Sequence, residues 1–391
     1  MLRSNKLKFF TLYLLFWVLP IAFISNKYAY EIYEFNSSMR VLLTQGSTKH
    51  RTFNEKGLPV SYSPKIGEFV SPFYVVHYSI IYSDNLSDTD KFQKQNQYHW
   101  RHDPSIAYWN VHPETNDQTK NRQSFKNSVD WIIQNIQYDH NGNAHLFYSF
   151  DWPYRGYPNN KIKAPWWSGL TDAYAIIPLL RAADIYGDEK YAKLAGELYR
   201  SVTASYHNGG SRTELNQQIW IEEYLDTQVQ KDTDLAYVFN GMVYSTYGIK
   251  SYEDYQNFDN TKALQQKLIN SIFNNVHMFD NHGWSYYDLY GTKNNIKYHK
   301  VHAILLDNLM HDFSKELSQL DKQKIKQLQE ISNTWNNSLT NSGIYYGLYG
   351  EKNSFAYYNF LLSIILLLIL PILLLLLTRF IKNFVLKIHK K

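Results

Sequence analysis

The chain has 391 residues, enough for one large domain or two ordinary ones around a substantial core. It contains no cysteine, which excludes thiol nucleophiles, cysteine-ligated zinc and disulfides. Its net charge of +5 comes from eight Lys and Arg at the two ends. Elsewhere 32 Lys and Arg face 35 Asp and Glu, so nucleic-acid binding has no support.

Near the N-terminus, FFTLYLLFWVLPIAFI (residues 9–24) is an uncharged apolar run behind Arg3, Lys6 and Lys8. No small-residue cleavage site follows it, so residues 1–25 are expected to be an uncleaved signal anchor crossing a membrane. Residues 26–121 show weak periodicity, polar clusters and short Val, Ile and Tyr runs such as FYVVHYSIIY (residues 73–82). Irregular structure with a few strands or hairpins is expected there.

The pattern changes near residue 122. SFKNSVDWIIQNI (residues 124–136) places Phe125, Val129, Ile132, Ile133 and Ile136 on one helical face. A Pro- and Trp-rich stretch, DWPYRGYPNNKIKAPWW, spans residues 151–167. Helical patterns then cover 168–186, 188–206, 234–250, 261–276, 298–313 and 321–335. Such helices on alternating short and long loops predict a mainly α fold over residues 122–350. The expected form is an incomplete α/α toroid, a barrel of helical hairpins, with a small irregular or β N-terminal segment. No fixed-period repeat is present, which excludes a solenoid. In a toroid the loops at one end form a concave cleft. The candidates are residues 151–167, residues 213–233 and GWSYYDLYGTKNNIKYHKVH (residues 283–302). The 34 Tyr and 10 Trp permit stacking on sugar rings, although an Asn-, Lys-, Ile- and Tyr-rich composition accounts for them equally.

At the C-terminal end, FLLSIILLLILPILLLLL (residues 360–377) is apolar all round, with Arg379, Lys382, Lys387, Lys390 and Lys391 behind it. Residues 356–378 are therefore expected to be a second transmembrane helix, with 379–391 as a basic cytoplasmic tail. Both positive flanks lie outside their apolar runs. The positive-inside rule then puts both termini in the cytoplasm and residues 26–355 across the membrane.

Five short motifs carry chemistry: PWWSGL (165–170), WIEEYL (220–225), FNGMVYSTYGI (239–249), YYDL (286–289) and YHKVH (298–302). In this order and at these spacings they resemble the C-terminal catalytic domain of the D-glucuronyl C5-epimerases, over about residues 125–335. A further segment, FVSPFYVVHYSIIYSDN (69–85), resembles the stretch before that family's sheet-rich insertion, to which nothing corresponds here. The resemblance implies action on a heparosan-type polysaccharide. Epimerisation removes the proton alpha to a uronate carboxylate and returns one on the other face. A base, an acid and a group that neutralises the carboxylate must therefore converge.

By this resemblance Tyr287 and Tyr298 form the acid/base pair, and Glu223 and Tyr224 of the EEY motif complete the catalytic set. Tyr titrates near 10, so a base role needs nearby positive charge or a proton relay. His299, His302 and Arg181 are candidates for that charge and for contacts to the uronate carboxylate. Arg155 and Lys163 are candidates for neighbouring anionic groups, with Trp166 and Trp167 as stacking surfaces. Each has an ordinary reading too: half-buried core tyrosines, a paired buried arginine, core tryptophans. His299 and His302 share a helical face, but no H-E-x-x-H pattern or acidic cluster accompanies them. No D-x-D-x-D loop is present either, and neither a metal nor a cofactor is expected. The chain departs from the family at EEYL, at YDLYG, at Lys297, which stands where the family has Asp, and at TDAY after PWWSGL. These changes leave the proton carriers but put the identity of the uronan in question.

The expected function is a membrane-tethered uronate C5-epimerase converting D-glucuronate to L-iduronate-type residues. The alternatives are a polysaccharide lyase and a non-catalytic polysaccharide-binding or assembly protein. Expected partners are an anionic uronate polymer, the membrane through two helices and a second copy in a homodimer.

Overall fold

A computed structural model of the chain describes residues 8, 10–84, 86, 106, 107, 109, 110, 116–258, 264–318, 320–352 and 355–388. Arg3, Lys6, Lys390, Lys391 and most of residues 85–115 lie outside the described residues.

An apolar helix, α1 (Phe10–Lys27), leads into α2 (Ala29–Leu43). An antiparallel sheet follows, of β1 (His50–Phe53), β2 (Pro59–Ser63) and β3 (Gly67–Phe69). Next come α3 (Pro72–Ser83), α4 (Gln118–Asn135), and two short antiparallel pairs: β4 (Ile136–Tyr138) with β5 (Ala144–Leu146), and β6 (Trp152–Pro153) with β7 (Lys161–Ile162). Helices α5 (Gly169–Tyr186) and α6 (Glu189–Thr203) precede the hairpin of β8 (Arg212–Leu215) and β9 (Gln218–Ile221). Beyond them lie α7 (Phe239–Tyr255), α8 (Gln265–Asn275) and the pair β10 (Asp280–Asn281) and β11 (Trp284–Ser285). The chain ends with α9 (Ile296–Asp312), α10 (Ser314–Leu317), α11 (Lys322–Thr340), α12 (Ser342–Tyr349) and α13 (Phe355–Ile388).

The described fold is mainly helical, as expected, and the sequence-based helices from residue 122 onward recur within a few residues. Helix α5 is the hub, packing on α3, α6 and α7. Its boundaries follow local chemistry. The Ser168 hydroxyl caps the Thr171 N–H at 3.2 Å, and Gly187 ends the helix in the left-handed conformation at φ 65°. Gly248 of α7 meets α5 at Ala173, where an added Cβ would stand 2.0 Å from the carbonyl oxygen. That closeness is what places the two helices, and the motifs at their N-terminal ends, side by side.

Within residues 26–121 the expectation of irregular structure with strands or hairpins fails at two stretches, since residues 29–43 form helix α2 and residues 72–83 form helix α3. FYVVHYSIIY is not strand or hairpin; it is helix α3, buried along nearly its whole length between α4 and α5. Ser71 is extended and Pro72 occupies the first helical position, a favourable start. A short apolar run buried on all sides has no periodicity that separates helix from strand. Ser79 and Ser83 satisfy their hydroxyls on the Val76 and Ile80 carbonyls at 2.6 and 3.1 Å.

Among the described residues, two helical stretches are long and apolar enough to cross a membrane, Phe10–Lys27 and Tyr357–Lys382. Only 6% of each is buried, which separates them from the core helices. They lie together, with Trp17 Nε1 donating to the Leu367 carbonyl at 2.9 Å. A cluster of Ala29, Tyr30, Trp284, Ile296, Tyr346 and Phe360 joins them to the helical domain.

Candidate active site

PWWSGL and WIEEYL run side by side. Trp167 and Leu225 exchange backbone hydrogen bonds at 3.0 and 3.2 Å, and Gly169 N–H donates to the Glu223 carbonyl at 3.2 Å. The two adjacent glutamates then part. Glu222 is a scaffold, its carboxylate accepting the backbone N–H of Glu223 at 3.1 Å and of Tyr237 at 2.9 Å. Glu223 faces a cavity of about 390 Å³. Gly241 in FNG makes room for it, because a Cβ there would sit 2.4 Å from Glu223 Oε2. That oxygen finds no hydrogen-bond partner among the described residues. Burial raises the Glu223 carboxyl to about 8, with Tyr224 and Tyr287 pulling it back and Glu222 and Asp288 adding to the rise. It is thus largely protonated at neutral pH.

The YYDL turn delivers Tyr287 to the same place. Its hydroxyl and that of Tyr224 are 2.7 Å apart. The turn is fixed by Tyr287 N–H to the Thr292 carbonyl at 2.7 Å and by Tyr154, whose hydroxyl donates to Asp288 at 2.6 Å. Burial, followed by Glu223, keeps the Tyr287 phenol well above its ordinary value. Tyr298 comes from the start of α9, where the Asn295 side chain caps its N–H at 3.0 Å. The rings of Tyr287 and Tyr298 meet edge to face with centroids 5.1 Å apart. That is van der Waals contact, so no pyranose ring passes between them.

Other sequence candidates lie elsewhere. Arg181 does not line the cavity. It is 2% exposed, and its Nη1 donates to the Ile80 carbonyl, the Ser83 hydroxyl and Asp84 at 3.0, 2.8 and 3.0 Å. It closes the C-terminal end of α3, where a cation meets free carbonyls and the negative end of the helix dipole. His299 and His302 are not cation sources. Burial lowers His299 to about 3 and His302 well below its ordinary value, so both are neutral. His299 Nδ1 accepts from Ser285 N–H at 3.0 Å, its Nε2 meets Ser338 at 2.6 Å, and its ring stacks on Trp284. His302 bridges Asn240 and Asn294 and lies behind Tyr287, ring on ring. The two imidazoles brace the turn against the helix start.

Trp166 lines the cavity but is 4% exposed, with one face covered by Tyr148 at 3.7 Å. Trp167 packs on His145 and does not line it. Arg155 and Lys163 are exposed on the Trp-rich loop, away from the cavity lining. Among the described residues, no group of three or more His, Asp or Glu side chains is arranged to hold a metal ion.

The positive charge comes from residues that sequence reasoning passed over. Lys49, Arg51, Lys293 and Lys297 all line the cavity. Tyr74, from the first turn of α3, lies among them, with the Arg51 guanidinium carbon 3.2 Å from its ring centroid. Burial alone would raise this phenol, but Arg51, Lys297 and Lys49 outweigh it and bring it down to about 7. Glu351, just before α13, completes the lining, its N–H donating to the Asn294 carbonyl at 3.0 Å. The one signal available was the KHR run at residues 49–51 together with the lysines of the YDL–YH stretch.

Residues 141–347 match the family described as D-glucuronyl C5-epimerase, C-terminus. A D-glucuronyl C5-epimerase of Caenorhabditis elegans is 26% identical over 216 residues, which are 49% of this chain and 32% of that protein. The chain thus spans about a third of the length of this curated relative. Among solved structures, a sugar epimerase from a ruminal bacterium matches 69% of this chain and 61% of its own, at 13% identity and a TM-score of 0.34.

Proposed function

The chain belongs to the D-glucuronyl C5-epimerase family through that family's C-terminal domain, and from this premise we propose that it is an isomerase inverting C5 of uronate residues in a polysaccharide. The observation that carries the reading is the convergence of Glu223, Tyr224 and Tyr287 on a cavity that Lys49, Arg51, Lys293 and Lys297 also line. Lys297, Lys293 and Lys49 would hold the uronate carboxylate. Their charge stabilises the enediolate that forms when C5 loses its proton, a charge that develops only along the reaction. Tyr287, backed by Tyr224 and the protonated Glu223, delivers a proton to one face of C5. Tyr298 adjoins it. We read the helical domain as an incomplete α/α toroid and the two apolar helices as a membrane tether, with both termini on the cytoplasmic side and the cavity on the other.

The test uses the whole chain of 391 residues in nanodiscs with an unsulfated glucuronate polymer in deuterated water. Deuterium at C5 and iduronate-type signals by NMR, with chain length unchanged, are expected. No exchange, or unsaturated chain ends from elimination of the 4-O substituent, would overturn the reading.

A further inference from the structure

Helix α2 turns away from α1 and runs beside the second apolar stretch. Between α1 and α2, Tyr28 leaves the helical conformation at φ −109° and ψ 31°. The adjoining ends of the two stretches meet there, since Ala29 and Phe360 share one buried cluster. Tyr28 and Tyr358 are exposed at those ends, the position of an aromatic belt at a membrane surface. Five residues past Tyr358, the Ser363 hydroxyl donates to the Asn36 side-chain oxygen of α2 at 3.0 Å. Five residues of helix span roughly 7–8 Å. The middle of α2 therefore lies on the apolar side of that aromatic rim.

We propose that α2 is an interfacial helix, whose outward stripe of Phe35, Met39 and Leu43 lies in the headgroup layer of a bilayer and holds the cavity close to the membrane surface. The proposal rests on reading the two apolar helices as a membrane tether, and not on the epimerase reading.

The stripe is built as such a helix requires. Phe35 and Leu43 are 64% and 75% exposed, and Met39 between them is half-buried. Their spacing of four residues keeps them on one face. The remaining surface is occupied: Ala29, Tyr30 and Val41 are buried, and Lys300 Nζ of α9 stands 3.6 Å from the Tyr30 ring centroid. Interfacial helices bury their apolar face about 5–10 Å into the boundary between headgroups and acyl chains, the depth at which Ser363 meets Asn36. The charges on α2 are Glu31, Glu34 and Arg40. Burial of the stripe, rather than attraction to anionic lipid, is then the driving term.

From α2 the path to the cavity is short. Tyr30 packs in one cluster with Ile296, and the residues after Ile296, Lys297 and Tyr298, line the cavity. Glu351, also on the cavity, leads into α13. The cavity is thus joined to the bilayer through two packed helices, and a polymer would be received at a fixed height close to the headgroups.

The chain has no cysteine, so single substitutions create unique sites for a nitroxide label. Phe35→Cys and Leu43→Cys replace exposed side chains. Leu370→Cys, in the second apolar stretch, and Lys126→Cys, exposed on α4, are the references. With the whole chain in phosphatidylcholine nanodiscs, electron paramagnetic resonance compares collisions with oxygen, which concentrates in lipid, and with a water-soluble nickel chelate. Labels at 35 and 43 should lose the nickel collisions seen at 126 and keep oxygen collisions, at a depth shallower than 370. Nickel collisions at 35 and 43 equal to those at 126, with 370 shielded, would overturn the proposal and leave the tether intact. Shielding of 35 and 43 from both reagents would put a second copy of the chain on the stripe and overturn the lipid assignment. Nickel access at 370 would overturn the tether reading and the proposal with it.

Discussion

Two parts of the chain line the cavity and surround the same side chain with opposite charge. On the side built from residues 220–302, tyrosines sit among Glu222, Glu223 and Asp288, and burial with nearby negative charge keeps their phenols protonated. On the side built from residues 49–77, Tyr74 sits under Arg51 and beside Lys49 and Lys297, and its phenol falls to about 7. Environment, not residue type, sets the two phenols apart.

The sharpest way to break this comparison is to remove the donor. Tyr287→Phe should lower kcat by about 10³-fold, roughly 4 kcal/mol of barrier, with KM changed little, as steady-state kinetics would read. Wild-type kcat in Tyr287→Phe would remove Tyr287 from the proposed proton transfer. Second, Arg181→Met should cost about 3–5 kcal/mol of stability, because Asp84 is left charged and buried. The kcat/KM of the folded protein should stay near wild type, as denaturant melts paired with kinetics would show. A selective rise in KM would return Arg181 to the substrate.

The acid side also has a stability signature. The folded-state value of Glu223, about 8, lies above its ordinary 4.5. Its contribution is therefore fully present below about pH 4.5 and is lost as pH rises toward 8. In Glu223→Gln the fall in stability between pH 5 and 8 should be shallower than in wild type, by on the order of 3–4 kcal/mol over that range. Glu222, raised to about 7, keeps part of the slope in the variant. Parallel curves for the two proteins would mean that Glu223 is ionised in the folded state. The smallest effects concern the cationic side. Lys297→Ala should raise KM by about tenfold, whereas Arg155→Ala and Lys163→Ala, exposed and off the cavity, should change it by less than about twofold.

The motifs at Glu223, Tyr224, Tyr287 and Tyr298 could be read in the sequence because each sits at the end of an element with its own start signal: a hairpin exit, a tight turn, an Asn-capped helix. Their convergence followed from the hub helix. What could not be read depends on contacts across long stretches of chain. The partner of Arg181 is Asp84, and the Tyr74 ring meets a guanidinium from a separate sheet. No local period records such pairings. Helix α3 was misread for a related reason, since burial on every side erases the alternation that would identify it. The histidines misled because their spacing is as good for bracing a turn as for binding an anion, and only burial tells the two apart.

Glu351 has a practical consequence. A common way to handle an enzyme with a long apolar terminal helix is to cut that helix off. Here a truncation before residue 351 would delete a strut of the cavity as well as the apolar helix α13. A cut just after it would still strip Phe360 from the patch holding Trp284, and behind Trp284 stands His299. Removing the apolar helix and keeping the cavity intact are therefore competing goals, and preparations of the whole chain suit kinetics better than trimmed ones.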